Sequence, residues 1–512
     1  MLSLVDECLD TIEARHGTRP DFNRLGYEDP AVYDRICAAD TIGVFQIESR
    51  AQIATLPHTQ PRTLDDLAVE VAIIRPGPIL AGAARPYMEQ RRRLAAGEPL
   101  AVRYDHPLLE PILRDTLGVL LFQEQVMEVA MAVAGFSAAQ ADSLRRSMSR
   151  RRSHEALEAH WPQFDAGAAA AGLSTELART IFDKLLGFAA YGFPRGHALA
   201  FARLAYESAW LRDRYPAEYL AALINNQPMG FYSVGVLAGD ARRHGLRLLR
   251  PAVNRSGARC TVESDQTLRL GLSSVRGLSS AAAEAIAAER DRGPYRSLFD
   301  FIRRTGVPRA LVEHLIMVGA FGDLGLERRE LLWQLGLLAG IWQGAPRRER
   351  AVAPLAQQPL PLPVDGDMVP LQPLPARGRL EADYALLGFS PSMHPLGLLR
   401  PQLGEAIHSS RHVERLPPGA GVQLAGMVVC RQRPGTAHGT LFLLLEDEFG
   451  LINVIVSAAL YERQQAVLRR ESFLLVRGAL QRRGPTLNVI AHTVAPLRVP
   501  SGLPAPASHD FH

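Results

Sequence analysis

The spacing of apolar residues divides the chain into a helical part and a part with strands. From residue 1 to about 255, apolar residues recur at helical spacing, as at Phe201, Leu204, Ala205 and Leu211. Pro216 interrupts this pattern because proline cannot continue a helix. A helix is therefore predicted to end before it and another to begin at about residue 217. The first half of the chain is predicted to be mostly helical.

Residues 256–342 contain two short pieces of one kind. Residues 272–280 lead into an alanine-rich helix that ends near Arg290, and residues 307–312 lead into a second helix with a glycine-containing stop at 319–322. Each piece predicts a short helix, a tight turn and a second helix. Together they predict a tandem helix-hairpin-helix.

Between residue 421 and about 496 the apolar period changes to two, which indicates strands. The predicted order is three strands, a helix and two strands, at 422–426, 441–445, 451–456, 458–468 (the helix), 473–476 and 487–490. This order matches an OB-fold barrel. The predicted fold class is therefore mainly α, with a tandem helix-hairpin-helix and a C-terminal all-β OB-fold barrel.

The predicted domain boundaries follow these changes of pattern. They are 1–255 for the helical domain, 256–342 for the tandem helix-hairpin-helix, 343–415 for a proline-rich linker with a short helix at 381–387, 416–498 for the OB-fold and 499–512 for a disordered tail. Six prolines between 359 and 375 favour extended polyproline II in the linker.

The composition is that of a globular chain. Of 512 residues, 47% are apolar and 21% charged, which excludes a disordered or fibrous protein. No apolar run reaches the roughly 18 residues of a membrane span. The N-terminus contains acidic residues from position 6 onward and lacks the basic region of a signal peptide. A cytoplasmic location without a membrane partner is predicted.

Two residue counts exclude further classes of site. Lys184 is the only lysine and lies between Asp183 and Leu185, so the chain has no Gly-Lys-Ser/Thr phosphate loop. The cysteines are Cys8, Cys37, Cys260 and Cys430. Their spacing matches neither a zinc ribbon nor a redox pair, and their density argues against a disulfide framework.

Five arginines follow Asp142 closely, at positions 145, 146, 150, 151 and 152. On a helix, Arg146 and Arg150 share a face one turn apart. Such a row holds phosphate oxygens through bidentate hydrogen bonds. A solvated helix face explains the same charges equally well, so charge alone leaves both interpretations open.

Residues 187–198 place aromatic rings, a histidine and glycines at the start of a predicted helix. A helix N-terminus suits an anion, and rings such as Tyr191 and Phe193 suit a base and its sugar. The alternative, which the pattern alone favours, is that both rings are core residues and His197 is a helix cap.

Other polar clusters are predicted to be structural. In residues 43–50 and 121–127, side chains such as Glu48, Glu124 and Gln125 are expected to bond backbone groups or each other. A two-metal phosphoryl-transfer site needs grouped carboxylates. The acidic clusters at 65–66, 365–367 and 446–448 lie in predicted turns or the linker. No catalytic residue and no metal ligand is therefore assigned.

The predicted turn at Arg276, Gly277 and Leu278 exposes backbone N–H groups suited to a DNA phosphate, without reading the base sequence. One such turn is a degenerate pattern. Two hairpins in tandem next to an OB-like barrel indicate a nucleic-acid-binding protein.

Taken in order along nearly the whole chain, these motifs resemble bacterial C-family DNA polymerases, the replicative polymerase III alpha subunit and its error-prone relative. The matching motifs are residues 41–50, 75–78, 122–125, 144–146 and 191–193 with His197. Residues 226–232 and 429–435 are similar to the error-prone branch. The resemblance implies polymerase fingers over 1–255 and a DNA-directed DNA polymerase of damage-tolerant synthesis, repair and replication.

The resemblance also implies roles for single residues. Arg145 and Arg146 correspond to arginines that hold the incoming deoxynucleoside triphosphate. The loop beside that nucleotide corresponds to Tyr191, Gly192, Phe193 and His197, with His197 near the sugar. The residues assigned to primer–template DNA are Arg150, Arg276, Gly277 and Leu278, and the barrel is expected to meet single-stranded template.

The chain also departs from the family. The family has an N-terminal phosphoesterase-like domain and a palm with three metal-binding aspartates, and this chain is expected to begin just after the third. Mg²⁺ is thus expected for the complete polymerase but not on residues of this chain, which is expected to be inactive alone. The palm would come from a separate chain, unless this one is truncated or started late.

Three local departures accompany the missing palm. Arg195 precedes Gly196 and His197 in a loop where relatives have a serine before the histidine, which bears on nucleotide selectivity. Ser279 replaces a second hairpin glycine, which weakens the phosphate grip. Residues 358–362 resemble a sliding-clamp peptide too faintly to predict clamp binding. The alternatives are a non-catalytic DNA-binding or scaffold protein built from a polymerase remnant, and a decayed fragment that does not fold.

Overall fold

The computed structural model of the protein describes residues 1–80, 82–148, 153–188, 192–338, 370–483, 486–499 and 509–511. The chain forms two compact units. The first comprises Met1–Thr18, Tyr215–Gln481 and Leu487–His512, and the second comprises Arg19–Arg214 and Arg482–Thr486. In the described ranges, no helix has both the length and the apolarity needed to cross a membrane.

Helices dominate the chain up to residue 243, as the apolar spacing predicts. They are α1 (Leu2–His16), α2 (Pro30–Cys37), α3 (Arg50–Thr59), α4 (Leu64–Ile73), α5 (Pro76–Leu80), α6 (Ala84–Ala95), α7 (Glu110–Leu113), α8 (Gln123–Ala134), α9 (Ala138–Ser147), α10 (Ser153–Glu158), α11 (Trp161–Ala170), α12 (Thr175–Phe188), α13 (Arg195–Arg214), α14 (Pro216–Asn225) and α15 (Val234–Arg243), with 3₁₀ turns at Phe22–Arg24 and Pro107–Leu109. The break predicted at Pro216 is confirmed, since α13 ends at Arg214 and Pro216 begins α14.

One apolar core of the second unit lies between α4 and α13. Ala198, Ala202, Ala205 and Ala209 recur along one side of α13 and are buried. Every residue of α4 from 67 to 73 is buried too. Because alanine is small, the two helices can approach closely, and this packing fixes the start of α13 in the second unit.

A second core of the same unit is built by α8, α9, α11 and α12. The rings of Phe164 and Phe182 lie 5.1 Å apart at its centre. Gly167 faces the end of α8, where an added Cβ would lie 1.9 Å from the carbonyl oxygen of Ala134. Only glycine permits this approach of α11 to α8, and α8 in turn packs against α9.

In the first unit, α1 packs on α14 and a small sheet precedes the hairpin module. The sheet consists of β1 (Arg247–Leu249), β2 (Thr261–Ser264) and β3 (Thr267–Arg269) in the order β1-β3-β2. The helices that follow are α16 (Ser280–Arg290), α17 (Leu298–Thr305), α18 (Arg309–Met317) and α19 (Arg328–Leu337), with 3₁₀ turns at Leu272–Ser274 and Gly322–Leu324.

The hairpin module has one apolar core. The rings of Tyr295 and Phe321 both meet the ring of Phe301 edge-on, at 4.9 and 5.0 Å. The turn at 275–278 connects the 3₁₀ turn to α16, and the turn at 306–308 connects α17 to α18. The predicted tandem of two helix-hairpin-helix pieces is therefore present.

The C-terminal part is a closed barrel. Its elements are α20 (Ala376–Leu387), α21 (Pro395–Leu399), α22 (Ser410–Val413), β4 (Gly421–Gln432), β5 (Leu441–Glu446), β6 (Leu451–Val456), α23 (Ala458–Arg470), β7 (Phe473–Arg483), β8 (Thr486–Pro496) and β9 (His509–Phe511), with 3₁₀ turns at Arg400–Gln402 and Gly435–Ala437. The strand order is β5-β6-β8-β7-β4, and β4 also pairs with β5, which closes the ring. β6 and β8 are parallel, whereas β4 is antiparallel to both β5 and β7.

This five-strand closure, with a helix between the third and fourth barrel strands, is the OB-fold order. The predicted fold class, mainly α with a C-terminal OB-fold barrel, is confirmed.

The helix predicted at 381–387 begins earlier, at Ala376. Residues 343–369 of the predicted proline-rich linker lie outside the described residues. Residues 509–511, predicted as part of a disordered tail, pair in parallel with β4 as β9. All four cysteines are buried with free thiols.

Candidate functional site

Arg145 and Arg146 lie in the last turn of α9, where positive charge is favourable to the helix dipole. Both guanidinium groups converge on one carboxylate. Asp142 accepts two hydrogen bonds from Arg145, at 2.8 and 3.0 Å, and pairs with Arg146 at 2.7 Å. Hydrogen bonds from Arg145, helped by the charge of Arg146, hold the pKa of Asp142 below its usual value. Arg146 remains 71% exposed, so it is accessible to an anion.

Gly192 places the predicted nucleotide loop next to the end of α9. A Cβ on Gly192 would lie 2.8 Å from Cε of Met148 and 2.7 Å from the ring of Phe188. Met148 directly follows α9, and Phe188 is the last residue of α12. The close approach requires glycine, and it brings the loop beside the helix that carries Arg145. Tyr191 and Arg150, the two other predicted residues of this region, lie outside the described residues.

Phe193 is fixed by its backbone and by its ring. Its carbonyl oxygen accepts the backbone N–H of Gln123 at 2.9 Å, and the residue forms a parallel bridge with Phe122. The guanidinium carbon of Arg75 lies 4.0 Å from the centre of the Phe193 ring, a cation–π contact. Arg75 also donates from Nε to the carbonyl oxygen of Ala72 at 2.8 Å, and burial lowers its pKa.

His197 is exposed on the first turn of α13. Its ring lies 5.3 Å from that of Phe193 and edge-on to that of Phe201 at 4.3 Å. The Phe201 ring stacks on Phe45 at 5.4 Å with an interplanar angle of 16°. The four rings form a row that offers stacking surface and one polar, protonatable edge.

Glu124, and not His197, caps the start of α13. Its two carboxylate oxygens accept the backbone N–H of Arg195 at 2.9 and 3.1 Å. Gln125 accepts the backbone N–H groups of Leu121 and Phe122, both at 2.9 Å. The prediction that these two side chains bond backbone groups is confirmed. The interpretation of His197 as a satisfied cap does not fit, since the capping position is taken by Glu124.

Sequence reasoning missed the part that Arg195 and Arg75 play in building this site. The guanidinium of Arg195 donates to Asp65 at 3.1 Å and to Asp115 at 3.2 Å. It thereby ties the start of α13 to α4 and to the segment after α7. Arg75 belongs to the motif at residues 75–78, which resembles the polymerase family. Neither contact has a local sequence signal, because the partners come from separate parts of the chain.

The first hairpin exposes less of its backbone than its sequence predicts. The N–H of Arg276 donates to the carbonyl oxygen of Leu386 in α20 at 2.8 Å, and the N–H of Leu278 donates to Val275 at 3.0 Å. Within the described residues, nothing accepts the N–H of Gly277. Gly277 has φ +89°, and a Cβ there would lie 3.1 Å from Leu311. Of the three predicted turn residues, only Gly277 keeps a backbone N–H without an acceptor among the described residues, beside the Arg276 side chain.

One group of side chains in the first unit has metal-ligating atoms close together. Atoms of His16, Glu218 and Asp265 lie within 4.8 Å of one another. The guanidinium of Arg15 pairs with both carboxylates, reaching Asp265 at 3.1 Å. Because a cation of the chain already balances this charge, we assign no metal ion to the group.

Comparison with known proteins identifies related domains. Residues 1–172 match the family of the bacterial DNA polymerase III alpha subunit finger domain, and residues 245–331 match the helix-hairpin-helix motif. The predicted boundaries at 255, 342 and 415 go beyond these matches and stay predictions.

Curated relatives extend the similarity to nearly the whole chain. An error-prone DNA polymerase of Anaeromyxobacter dehalogenans (strain 2CP-1) is 43% identical over 505 residues, which cover 95% of this chain and 42% of the relative. Those of Corynebacterium efficiens and Mycobacterium tuberculosis are each 41% identical over all of this chain, and the match covers 46% and 45% of them. The chain spans less than half the length of these relatives. It is thus similar throughout to a portion of error-prone DNA polymerases, and its first 172 residues match the finger domain of the polymerase III alpha subunit.

Proposed function

We propose that this chain is the nucleotide- and DNA-binding portion of an error-prone DNA polymerase that acts in damage-tolerant synthesis. The second unit holds the incoming deoxynucleoside triphosphate, and the hairpin module and barrel of the first unit hold primer–template DNA. The reaction is nucleotidyl transfer to the primer 3′-hydroxyl with release of pyrophosphate. The similarity to error-prone DNA polymerases supports the reaction class.

The observation that carries the proposal is the approach of the Gly192 loop to the end of α9. Through this approach, the helix that carries the guanidinium groups of Arg145 and Arg146 lies next to the loop that leads into the ring row at Phe193. Guanidinium groups suit phosphate oxygens, and rings suit a base or sugar. Tyr191 and Arg150 are proposed members of the same site, in the roles that the family resemblance implies.

Within this site, the residues of the chain bind and orient the nucleotide. Arg145 and Arg146 would exchange Asp142 for the triphosphate and neutralise charge that develops on the leaving pyrophosphate. Arg75 fixes the Phe193 ring, and Glu124 fixes the start of α13, so that His197 is held at the edge of the ring row.

Magnesium does not fit the described residues of this site. The carboxylate nearest to the two arginines, Asp142, is paired with both. Asp65 and Asp115 are paired with Arg195. We propose that the aspartates that would hold Mg²⁺ come from a palm outside the described residues. This chain would bind and orient the nucleotide, and the palm would supply the metal that acts on the same triphosphate.

Nucleotide binding gives the first test. Titration of the full chain with dATP, followed by calorimetry, is expected to show binding that falls about a hundred-fold in the double variant Arg145→Ala/Arg146→Ala, since each charged hydrogen-bonding group contributes about ten-fold. The matched control is Arg92→Ala, an exposed arginine that also pairs with an acid three residues earlier. Equal affinities of the double variant and the control would exclude this nucleotide site.

Primer extension tests whether this chain needs a separately supplied palm for nucleotidyl transfer. The full chain alone is expected to bind a primer–template without extending it. It is expected to extend the primer when the portion of the Anaeromyxobacter relative that this chain does not match is added, since the proposal assigns the palm to that portion. Extension by the chain alone would overturn the proposal of an external palm. Salt-dependent DNA binding with no gain on addition of the palm would favour a non-catalytic scaffold.

A further inference from the structure

A cleft at the end of the hairpin module contains three arginines. It is lined by Arg250, Arg328 and Arg379, together with Gly319, Gly322, Gly325 and Ser392, and has a volume of about 700 Å³. We call it the arginine cleft. All of its residues belong to the first unit. None of them is among the residues assigned to nucleotide or DNA above.

Arg328, at the start of α19, is held in place without an acidic partner. Its Nη1 donates to the carbonyl oxygen of Met317 at 2.6 Å. A Cβ on Gly319 would lie 2.8 Å from its Nη2, so the guanidinium rests directly on a glycine backbone. Within the described residues, Arg328 forms no ion pair. Burial, with the nearby charges of Arg250 and Arg379, lowers its pKa to about 10.

Arg250 is held by an ion pair with the buried side chain of Asp383. Asp383 pairs with both terminal nitrogens of Arg250, one at 2.7 Å, and accepts a hydrogen bond from Ser390 at 2.6 Å. Ser392 accepts from the same arginine at 3.0 Å. Among the described residues, Asp383 forms its ion pair with Arg250 and not with Arg328 or Arg379, although its charge also favours the protonated form of Arg328.

Arg379 lies on α20 and, in the described parts of the chain, has no ion-pair partner. Among the described residues, Glu327 is the only acid that lines the cleft, and it is exposed. Three guanidinium groups thus line one cleft. The acids near them are Glu327, which is exposed, and Asp383, which is buried and already bonded to Arg250 and Ser390. The charged groups that line the cleft are mostly cationic, which favours an anion there.

We propose that the arginine cleft binds a phosphate group, through Arg328 and Arg379 with Arg250 as the anchored third donor. The planar fork of arginine matches phosphate oxygens, and the three glycines of the lining add no side chains that would fill the cleft. The group is either a backbone phosphate of DNA beyond the hairpins or a free phosphate such as pyrophosphate. Only the DNA source rests on the proposed polymerase function.

The test titrates the full chain with pyrophosphate by calorimetry, and separately with a DNA duplex at several salt concentrations. Arg328→Gln and Arg379→Gln are each expected to lower pyrophosphate affinity about ten-fold. If the source is DNA, each also lowers duplex affinity and reduces the salt slope by about one. The matched control, Arg329→Gln, removes the next arginine along α19, which is exposed, and is expected to change neither.

The outcomes separate the two proposals. Unchanged pyrophosphate and duplex affinities in both glutamine variants would overturn the arginine cleft. Loss of pyrophosphate binding alone assigns the cleft to a free phosphate. The unmodified chain could bind neither dATP nor duplex DNA and still lose pyrophosphate binding in these variants. That result would contradict the proposed polymerase function but support the phosphate site in the arginine cleft. Arg328→Lys is expected to restore part of the affinity, and Arg379→Gln still tests the cleft if Arg328→Gln does not fold.

Discussion

The guanidinium of Arg75 covers the ring of Phe193 at 4.0 Å. Arg75 lies between α4 and α5, whereas Phe193 belongs to the loop that precedes α13. The contact therefore holds the ring row against the first core of the second unit. The Phe193 backbone is held independently by Gln123, so the ring contact sets the side-chain orientation rather than the path of the loop.

A double-mutant cycle measures this contact. Arg75→Met and Phe193→Leu are each expected to destabilise the second unit. Their combination should cost less than the sum by about 0.5–1 kcal/mol, the usual size of such a contact. Urea unfolding of the four proteins gives the coupling. A control cycle of Arg75→Met with Phe136→Leu, in the other core of the unit, is expected to be additive.

Asp142 competes with an anion for Arg145 and Arg146. Asp142→Asn removes the negative charge and is expected to raise dATP affinity a few-fold at low salt, because an exposed acid then no longer competes with the triphosphate for the two guanidinium groups. Glu89→Gln releases Arg92 in the same way and serves as the control. A lower dATP affinity in Asp142→Asn would mean that Asp142 positions the arginines instead of blocking them.

Gly277 supplies a backbone N–H without an acceptor among the described residues in the first hairpin. Gly277→Ala is expected to destabilise the protein by roughly 1–2 kcal/mol, since φ is positive there. It should also lower duplex affinity about ten-fold, because the added methyl meets Leu311 and shifts the turn. Gly293→Ala, also at positive φ but in open space, is the control. Fluorescence anisotropy with a labelled duplex should detect no loss of affinity in that control.

Glu70 makes the stability of the second unit depend on pH. It is buried in α4, where it accepts a hydrogen bond from Thr55 at 2.7 Å, while Arg91 nearby is paired with Asp66. Burial raises the pKa of Glu70 from 4.5 to about 7. Between these values the folded state binds more protons than the unfolded state, so the free energy of unfolding falls as pH rises.

Glu70→Gln removes this titration. Relative to the unmodified chain, the variant is expected to gain roughly 2 kcal/mol of stability between about pH 5 and about pH 8. Urea unfolding at the two pH values measures it. Asp66→Asn, which changes the neighbouring acid, is the control for general charge effects. A stability difference independent of pH would contradict the raised pKa of Glu70.

The amino-acid sequence by itself determined the order and type of the elements. Apolar spacing in α13 and α14, the break at Pro216, and the period-two strands of the barrel are local signals, since each depends on residues a few positions apart. The same holds for the two hairpins, whose turns require particular residues. These local patterns therefore predicted the fold class and the order of the barrel elements along the chain.

Only the tertiary structure decided how the candidate site is built. Glu124 caps a helix 71 residues away in sequence, and Arg75 meets Phe193 from another part of the chain. The N–H of Arg276, which the hairpin pattern predicts to be available, is taken by Leu386. Such pairings depend on which surfaces pack together, because a carboxylate or a ring accepts any donor that the fold brings within reach. No spacing rule along the chain encodes that choice.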